Sequence, residues 1–301
     1  MNKIKSGNIM LWAAAIIVLV IVISFIVMFS GAAGGSTASA LPANENVTVS
    51  DIEESDNAGS YPDRLAEYST SYKDANTGRS NNIEAAARYI DGTVLQPGDT
   101  FSFNSVVGER TEERGFVKAA VYAFEETDED FGGGISQTAT TLFNAAVTAG
   151  MEITEHHPHM HTVNYTIYDG VQSYGNDTAV TWGQSDFCFI NSSEHPVMIR
   201  MICKNGEITA QIFGTDNGKR TELEFSEQEY IAYGTVYRRP EISKTNQSGQ
   251  PGRTIVVTRV VSQNGSELSR EEFYVAEYQP LLQIVYTDAL PEGCEYDVVI
   301  G

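Results

Sequence analysis

The chain has 301 residues, with 40 Asp and Glu against 19 Lys and Arg, a formal net charge of −21. Such a chain is repelled by nucleic acid and by anionic lipid headgroups, so neither is expected as a direct ligand, while neutral and cationic polymers stay open. At about 100–200 residues per domain, the length allows a tail and one or two folded units.

The first signal along the chain is the uncharged run at residues 9–29, IMLWAAAIIVLVIVISFIVMF. About 20 apolar residues span a bilayer as a helix. Lys3 and Lys5 precede the run and no Lys or Arg follows until Arg64, so the expected orientation is N-terminus inside and the remainder outside. Ala38-Ser39-Ala40 offers the rival reading of a cleaved signal peptide, but an h-region is usually about 7–15 residues, and the longer run favours an uncleaved anchor over residues 1–30. Residues 31–60 are rich in Gly, Ala, Ser, Asn and acid and too poor in large apolar groups to offset ordering entropy, which makes them a tether.

Residues 82–90 (NIEAAARYI) place Ile83, Ala86, Ala87 and Ile90 on one helical face, with Asp91-Gly92 as the exit. The turn Phe131-Gly132-Gly133-Gly134-Ile135-Ser136-Gln137 feeds a second helix over 137–149, whose stripe is Ala139, Leu142, Phe143, Ala146 and Val147. Strands are expected at 163–167, 179–182, 187–190, 197–203 and 208–213, the last two joined by a tight turn at Lys204-Asn205-Gly206. Residues 187–190 and 197–203 read as a hairpin in which Cys188 faces Ile199. Cys203 then lies roughly 13 Å from Cys188, too far for a bridge, so Cys188, Cys203 and Cys294 read as small buried apolar residues.

Residues 223–301 read as a second, β-rich section, with strands at 254–261 and 267–275 around Gln263-Asn264-Gly265 and another at 281–286. Helices first and strands later predict an α+β class, with a main domain over 61–222 followed by this module over 223–301.

Two places could carry chemistry. Three glycines before a helix bring backbone N–H groups together at the positive end of its dipole, where Ser136 sits; an ordinary serine N-cap is the competing explanation. Four of the five histidines fall in EHHPHMH, residues 155–161. On a strand, His157, His159 and His161 would share one face about 7 Å apart, a spacing compatible with metal ligation, although Pro158 interrupts it and a partly exposed polar segment fits equally.

Phe101-Ser102-Phe103-Asn104, Val107-Gly108-Glu109-Arg110-Thr111 with Gly115-Phe116, GGGISQTATTLFNA, EHHPHMHTVNY, Gly175-Asn176-Asp177-Thr178-Ala179-Val180, and Asp186-Phe187 with Phe189-Ile190-Asn191 follow one another along the chain. Over residues 68–214 they resemble the VanW domain in order and spacing. The resemblance implies an extracytoplasmic cell-envelope protein acting on peptidoglycan or its stem peptides, with L,D-transpeptidase-like acyl transfer proposed for some members. Ser136 stands where the family pattern has cysteine, His159 matches the family histidine, Asp177 lies in the family aspartate stretch, and His156 replaces an arginine. Under this resemblance Ser136, His159 and Asp177 are catalytic, and Gly133, Gly134 and Gln137 offer backbone donors for an oxyanion. Arg110, Asn144, His157 and Tyr165 contact substrate. No cofactor and no metal is implied. The rivals are a non-catalytic protein that binds wall peptides in the same cleft, and a metal-binding envelope protein built on His157, His159 and His161.

Overall fold

The computed structural model describes residues 61–123, 126–168, 171–241 and 244–300. The expected anchor over 1–30 and the tether over 31–60 lie outside these residues.

Strand β1 (Asp63–Ser71) opens the fold. It is followed by α1 (Thr77–Ile90), β2 (Val94–Leu95), β3 (Thr100–Ser102), the short helix α2 (Phe103–Val107), and the hairpin β4 (Lys118–Ala123) and β5 (Glu126–Phe131). Helix α3 (Ile135–Thr148) leads to β6 (Glu152–Glu155), the small ladder β7 (Ile167–Tyr168) and β8 (Val171–Gln172), and then β9 (Cys188–Ile190), β10 (Val197–Lys204) and β11 (Glu207–Gly214). Six strands complete it: β12 (Lys219–Ile231), β13 (Thr235–Arg238), β14 (Gly252–Gln263), β15 (Ser266–Tyr278), β16 (Gln283–Tyr286) and β17 (Val299–Ile300). The larger sheets run β1-β11-β10-β2, β3-β9-β6, β12-β14-β15 and β16-β13-β17. All their pairs are antiparallel except β13 with β16, and the fold is α+β.

Helix α1 begins earlier than its apolar stripe suggested, because Asn76 caps it by accepting from the Arg79 amide at 2.9 Å. Ile83, Ala86, Ala87 and Ile90 are buried as the spacing requires. Helix α3 is buried further round than its stripe implied: Gln137 through Val147 are all inside. Its polar residues are satisfied internally, as buried polar groups must be. The Thr141 hydroxyl meets that of Thr70 at 2.8 Å, Thr140 Oγ1 accepts from the Thr178 amide at 3.0 Å, and the Asn144 amide donates to Asn176 O at 2.7 Å.

The β10–β11 hairpin turns at Asn205 and Gly206, both at positive φ, and the β14–β15 hairpin does the same at Asn264 and Gly265. These are the Asn-Gly turns that right-handed strand twist favours. The expected pairing of 187–190 with 197–203 is corrected. Strand β9 pairs with β3 and β6, whereas β10 pairs with β11 and β2. Between them the Asn191 side chain donates to Leu95 O and His195 O, which turns the chain out of one sheet and into the other. Residues 163–167 form strand only at Ile167, and 179–182 only the isolated bridge Thr181↔Ser185. The 177–180 segment is held instead by side chains of α3 and by the bond from Ala179 N to His157 O at 2.7 Å.

All three cysteines are free and half-buried. Burial and then the nearby Asp186 carboxylate push the Cys188 thiol up to about 12, and burial pushes Cys203 up to about 11, so neither supplies thiolate at neutral pH. The boundary expected near residue 223 falls within β12. Leu223, Ile255, Val257, Ala276 and Tyr278 from the C-terminal sheet share one core with Ile83, Leu142 and Phe143.

Candidate active site

The best-defined cluster surrounds Asp177, which is 1% exposed. Its Oδ2 accepts from His159 Nδ1 at 2.6 Å and from the His159 backbone amide at 2.9 Å, while its Oδ1 accepts from the Tyr278 hydroxyl. Burial alone would raise this carboxyl, but the bonds from His159 and Tyr278 outweigh it and hold the pKa below the ordinary carboxylate value. An ionised carboxylate has no proton to give, so His159 Nδ1 carries the shared hydrogen. In the neutral ring Nε2 is then the bare nitrogen, on a side chain 18% exposed.

The segment that presents Asp177 is pinned on both sides. Gly175 sits at φ 98° against Ile255 and Val257, where an added Cβ would come within 3.0 Å of each. The Asn176 side chain donates to Tyr68 Oη at 3.0 Å and to Asn144 Oδ1 at 3.3 Å. Next to it, His156 Nε2 lies 2.8 Å from Asp177 O, its ring stacked on Phe143 and tilted against Tyr274 with centroids 4.4 Å from each. Desolvation lowers its pKa to about 4, so it is a neutral imidazole donating to that carbonyl.

Ser136 is the second residue of α3, and its Oγ accepts from the Val180 amide at 3.3 Å. Val180 is three residues beyond Asp177, so the bond ties the hydroxyl to the segment that presents the aspartate. Among the described residues no hydrogen bond joins Ser136 to His159. The N-cap alternative is corrected: Gly134, at φ 104°, is the N-cap and Ser136 lies inside the helix.

Among the backbone donors expected for an oxyanion, the Gln137 amide is already bonded to Gly134 O at 3.0 Å. The amides of Gly133, Gly134 and Ser136 donate to no acceptor among the described residues. The Gln137 side chain is buried and accepts from Arg79 Nη2 at 2.7 Å.

The residues expected to touch substrate are spread out. Arg110 lies beside the glycine turn, its stem against Gly132 and its guanidinium donating to Asn104 Oδ1 at 2.6 Å, 5.7 Å from the ring of Trp182. Tyr165 packs edge-on to His159 at 6.4 Å, under the guanidinium of Arg79 at 5.7 Å. Asn144 is inside the fold with its amide committed to Thr140 and Asn176. His157 faces Glu155 at 2.9 Å on an exposed edge.

Arg79, Trp182 and Tyr278 were missed by sequence reasoning. Arg79 sits in a polar helix start, Trp182 ends a segment that reads as an ordinary strand, and Tyr278 is 101 residues from Asp177; no local pattern marks their roles.

The three-histidine metal alternative is also corrected. Past Glu155 the segment leaves the strand, and His157, His159 and His161 turn to Glu155, Asp177 and Gln279 O respectively. Among the described residues no three His, Cys, Asp or Glu side chains gather in metal-binding geometry.

This α+β scaffold, with a glycine turn and a His159–Asp177 pair, coincides with a recognised family. Residues 78–213 match the family described as VanW like protein, and the chain thus carries a VanW-like domain. It is similar to the uncharacterized protein YoaR of Bacillus subtilis (strain 168), 37% identical over 153 residues, covering 51% of this chain and 48% of that one. The chain therefore spans about half the length of this curated relative. No solved structure matches it.

Proposed function

We propose that the protein is a cell-envelope protein, anchored by its apolar N-terminal run, whose VanW-like domain carries out acyl transfer on peptidoglycan stem peptides outside the membrane. The observation that supports this best is the bond of His159 Nδ1 to the buried Asp177 carboxylate at 2.6 Å. That bond orients the imidazole and leaves Nε2 as the general base.

In the proposed cycle the Ser136 oxygen attacks a stem-peptide carbonyl carbon while its proton passes to His159 Nε2. The carbon–nitrogen bond of the amide breaks, the departing amine takes the proton from His159, and the acyl group remains on Ser136 as an ester. An amine of a second stem then attacks the ester carbonyl and gives its proton to His159. That proton returns to the Ser136 oxygen as the new amide leaves. The amides of Gly133, Gly134 and Ser136 are the donors for the tetrahedral oxygen in both halves.

A second reading, binding of wall peptides without turnover, is favoured by one observation: the Ser136 hydroxyl engages Val180 N and not His159. Serine lacks the accessible anion that a thiol gains at a helix N-terminus and depends on the base at the moment of attack.

Muropeptide profiles of cells carrying the wild type, Ser136→Ala and Ser136→Cys separate the two. Acyl transfer requires that Ser136→Ala abolish the cross-links made by the protein and that Ser136→Cys raise them several-fold. Identical profiles for all three would remove the transfer reading and leave binding. The anchor is checked by sequencing the N-terminus of the membrane-fraction protein, and a mature chain starting at Leu41 would overturn it.

A further inference from the structure

Asp177 is gripped from a part of the chain far outside the VanW-like match, which ends at residue 213. Tyr278, the last residue of β15, is 1% exposed, donates its hydroxyl hydrogen to Asp177 Oδ1, and accepts from the Gly175 amide at 2.8 Å. One residue on, Gln279 donates its amide to Met160 O at 2.7 Å and offers its carbonyl to His161 Nδ1 at 2.8 Å. The end of β15 thus holds both the aspartate and the chain that follows His159. Tyr274, from the same strand, donates to Gly175 O and packs its tilted ring against His156.

A phenol on one carboxylate oxygen competes with the imidazole on the other, because each donor withdraws electron density that its rival would use. It also forbids rotation of the carboxylate about its last bond, which keeps Oδ2 turned toward His159. A hydroxyl buried for packing alone needs only one acceptor; this one links the carboxylate to the amide at Gly175 that sets the segment's backbone.

We propose that Tyr278 is a positioning residue for the His159–Asp177 pair, so that the β14–β15 hairpin is a working part of the site. The inference rests on the reading of that pair as the proton-handling element, but its test does not require transfer activity.

The experiment follows the Nδ1–H proton of His159 by NMR in the full-length chain, assigned by its disappearance in His159→Gln. Tyr278→Phe keeps the ring and removes the hydroxyl; Asp177 then becomes the stronger acceptor and the His159 proton moves downfield. Incorporating 3-fluorotyrosine at position 278 keeps the fold and makes the hydroxyl a stronger donor, and the same proton moves upfield. Opposite shifts in the two proteins establish the positioning role, which packing alone does not produce. A His159 proton unmoved by fluorination overturns it, including the case where Tyr278→Phe fails to fold. Absence of muropeptide products alongside opposite shifts would count against acyl transfer and leave the positioning role standing.

Discussion

Ser136 and Gly134, two residues apart, carry different loads. Ser136→Ala removes one bond to Val180 N and is expected to cost about 1 kcal/mol, because the helix cap does not depend on it. Gly134→Ala meets both a φ of 104° and the Arg79 Cγ at 2.8 Å, and is expected to cost about 2 kcal/mol or more in urea unfolding. His156 and Asp177 set the acid side of the stability curve. His156 titrates near 4 when folded and near 6.5 unfolded, so the unfolded state takes up its proton first. Stability is full above that unfolded value and falls by up to about 3 kcal/mol as pH drops toward 4, less where water reaches the ring. The depressed Asp177 adds stability above the unfolded carboxylate value of about 3.9 that is lost as pH falls further through its folded value. Thermal unfolding at pH 7.5, 5, 3.5 and 2 should show both steps, and His156→Phe should lack the first. At this scale the sequence marks His159 and Asp177 through local motifs, whereas Arg79 and Tyr278 reach the site only through tertiary folding.

Helix α3 was legible because its apolar residues repeat at helical spacing, yet periodicity reports the greasy face and is silent on polar residues that are also inside. Leu142→Ala should cost roughly 2–5 kcal/mol, as at other filled core positions. Thr140→Val, on the opposite face, should cost about 1–3 kcal/mol, since it leaves the buried Thr178 amide without its acceptor. A change of under 0.5 kcal/mol for Thr140→Val in chemical denaturation would place that face in water. The two Asn-Gly hairpins were equally readable because the turn itself dictates the pairing. Strand β9 was not. Three residues carry no record of their partner, and the alternation that made 187–190 look like the mate of 197–203 is equally satisfied by β3 and β6. The histidine segment does not form a strand beyond Glu155, and Pro158 within it has no amide hydrogen to give a ladder.

Across the described residues as a whole, the α+β class follows from the pattern of periods along the chain, whereas the strands that precede the 135–148 helix, β1 first among them, do not. The joining of the C-terminal sheet to the rest does not, because it is made by apolar contacts that any β-rich segment could offer. Removing residues 219–301 strips Leu223, Ile255, Val257, Ala276 and Tyr278 from the shared core, so the remainder is expected to lose cooperative unfolding and protease resistance. A truncated chain that melts as sharply as the intact one would show the two parts to be independent. The pairing of β1 with β11 sets a timetable for synthesis as well. Ser69 and Thr209 share a hydrogen bond across 140 residues of chain, so the earliest strand to leave the ribosome has no mate until nearly the whole VanW-like portion has been made. Closing so long a loop costs entropy before any contact repays it, which makes assembly late and slow. A nascent chain stalled before residue 207 exposes β1 to any passing edge, and ribosome-bound intermediates of increasing length should gain protease resistance only after β11 and the core residues of the C-terminal sheet have both emerged.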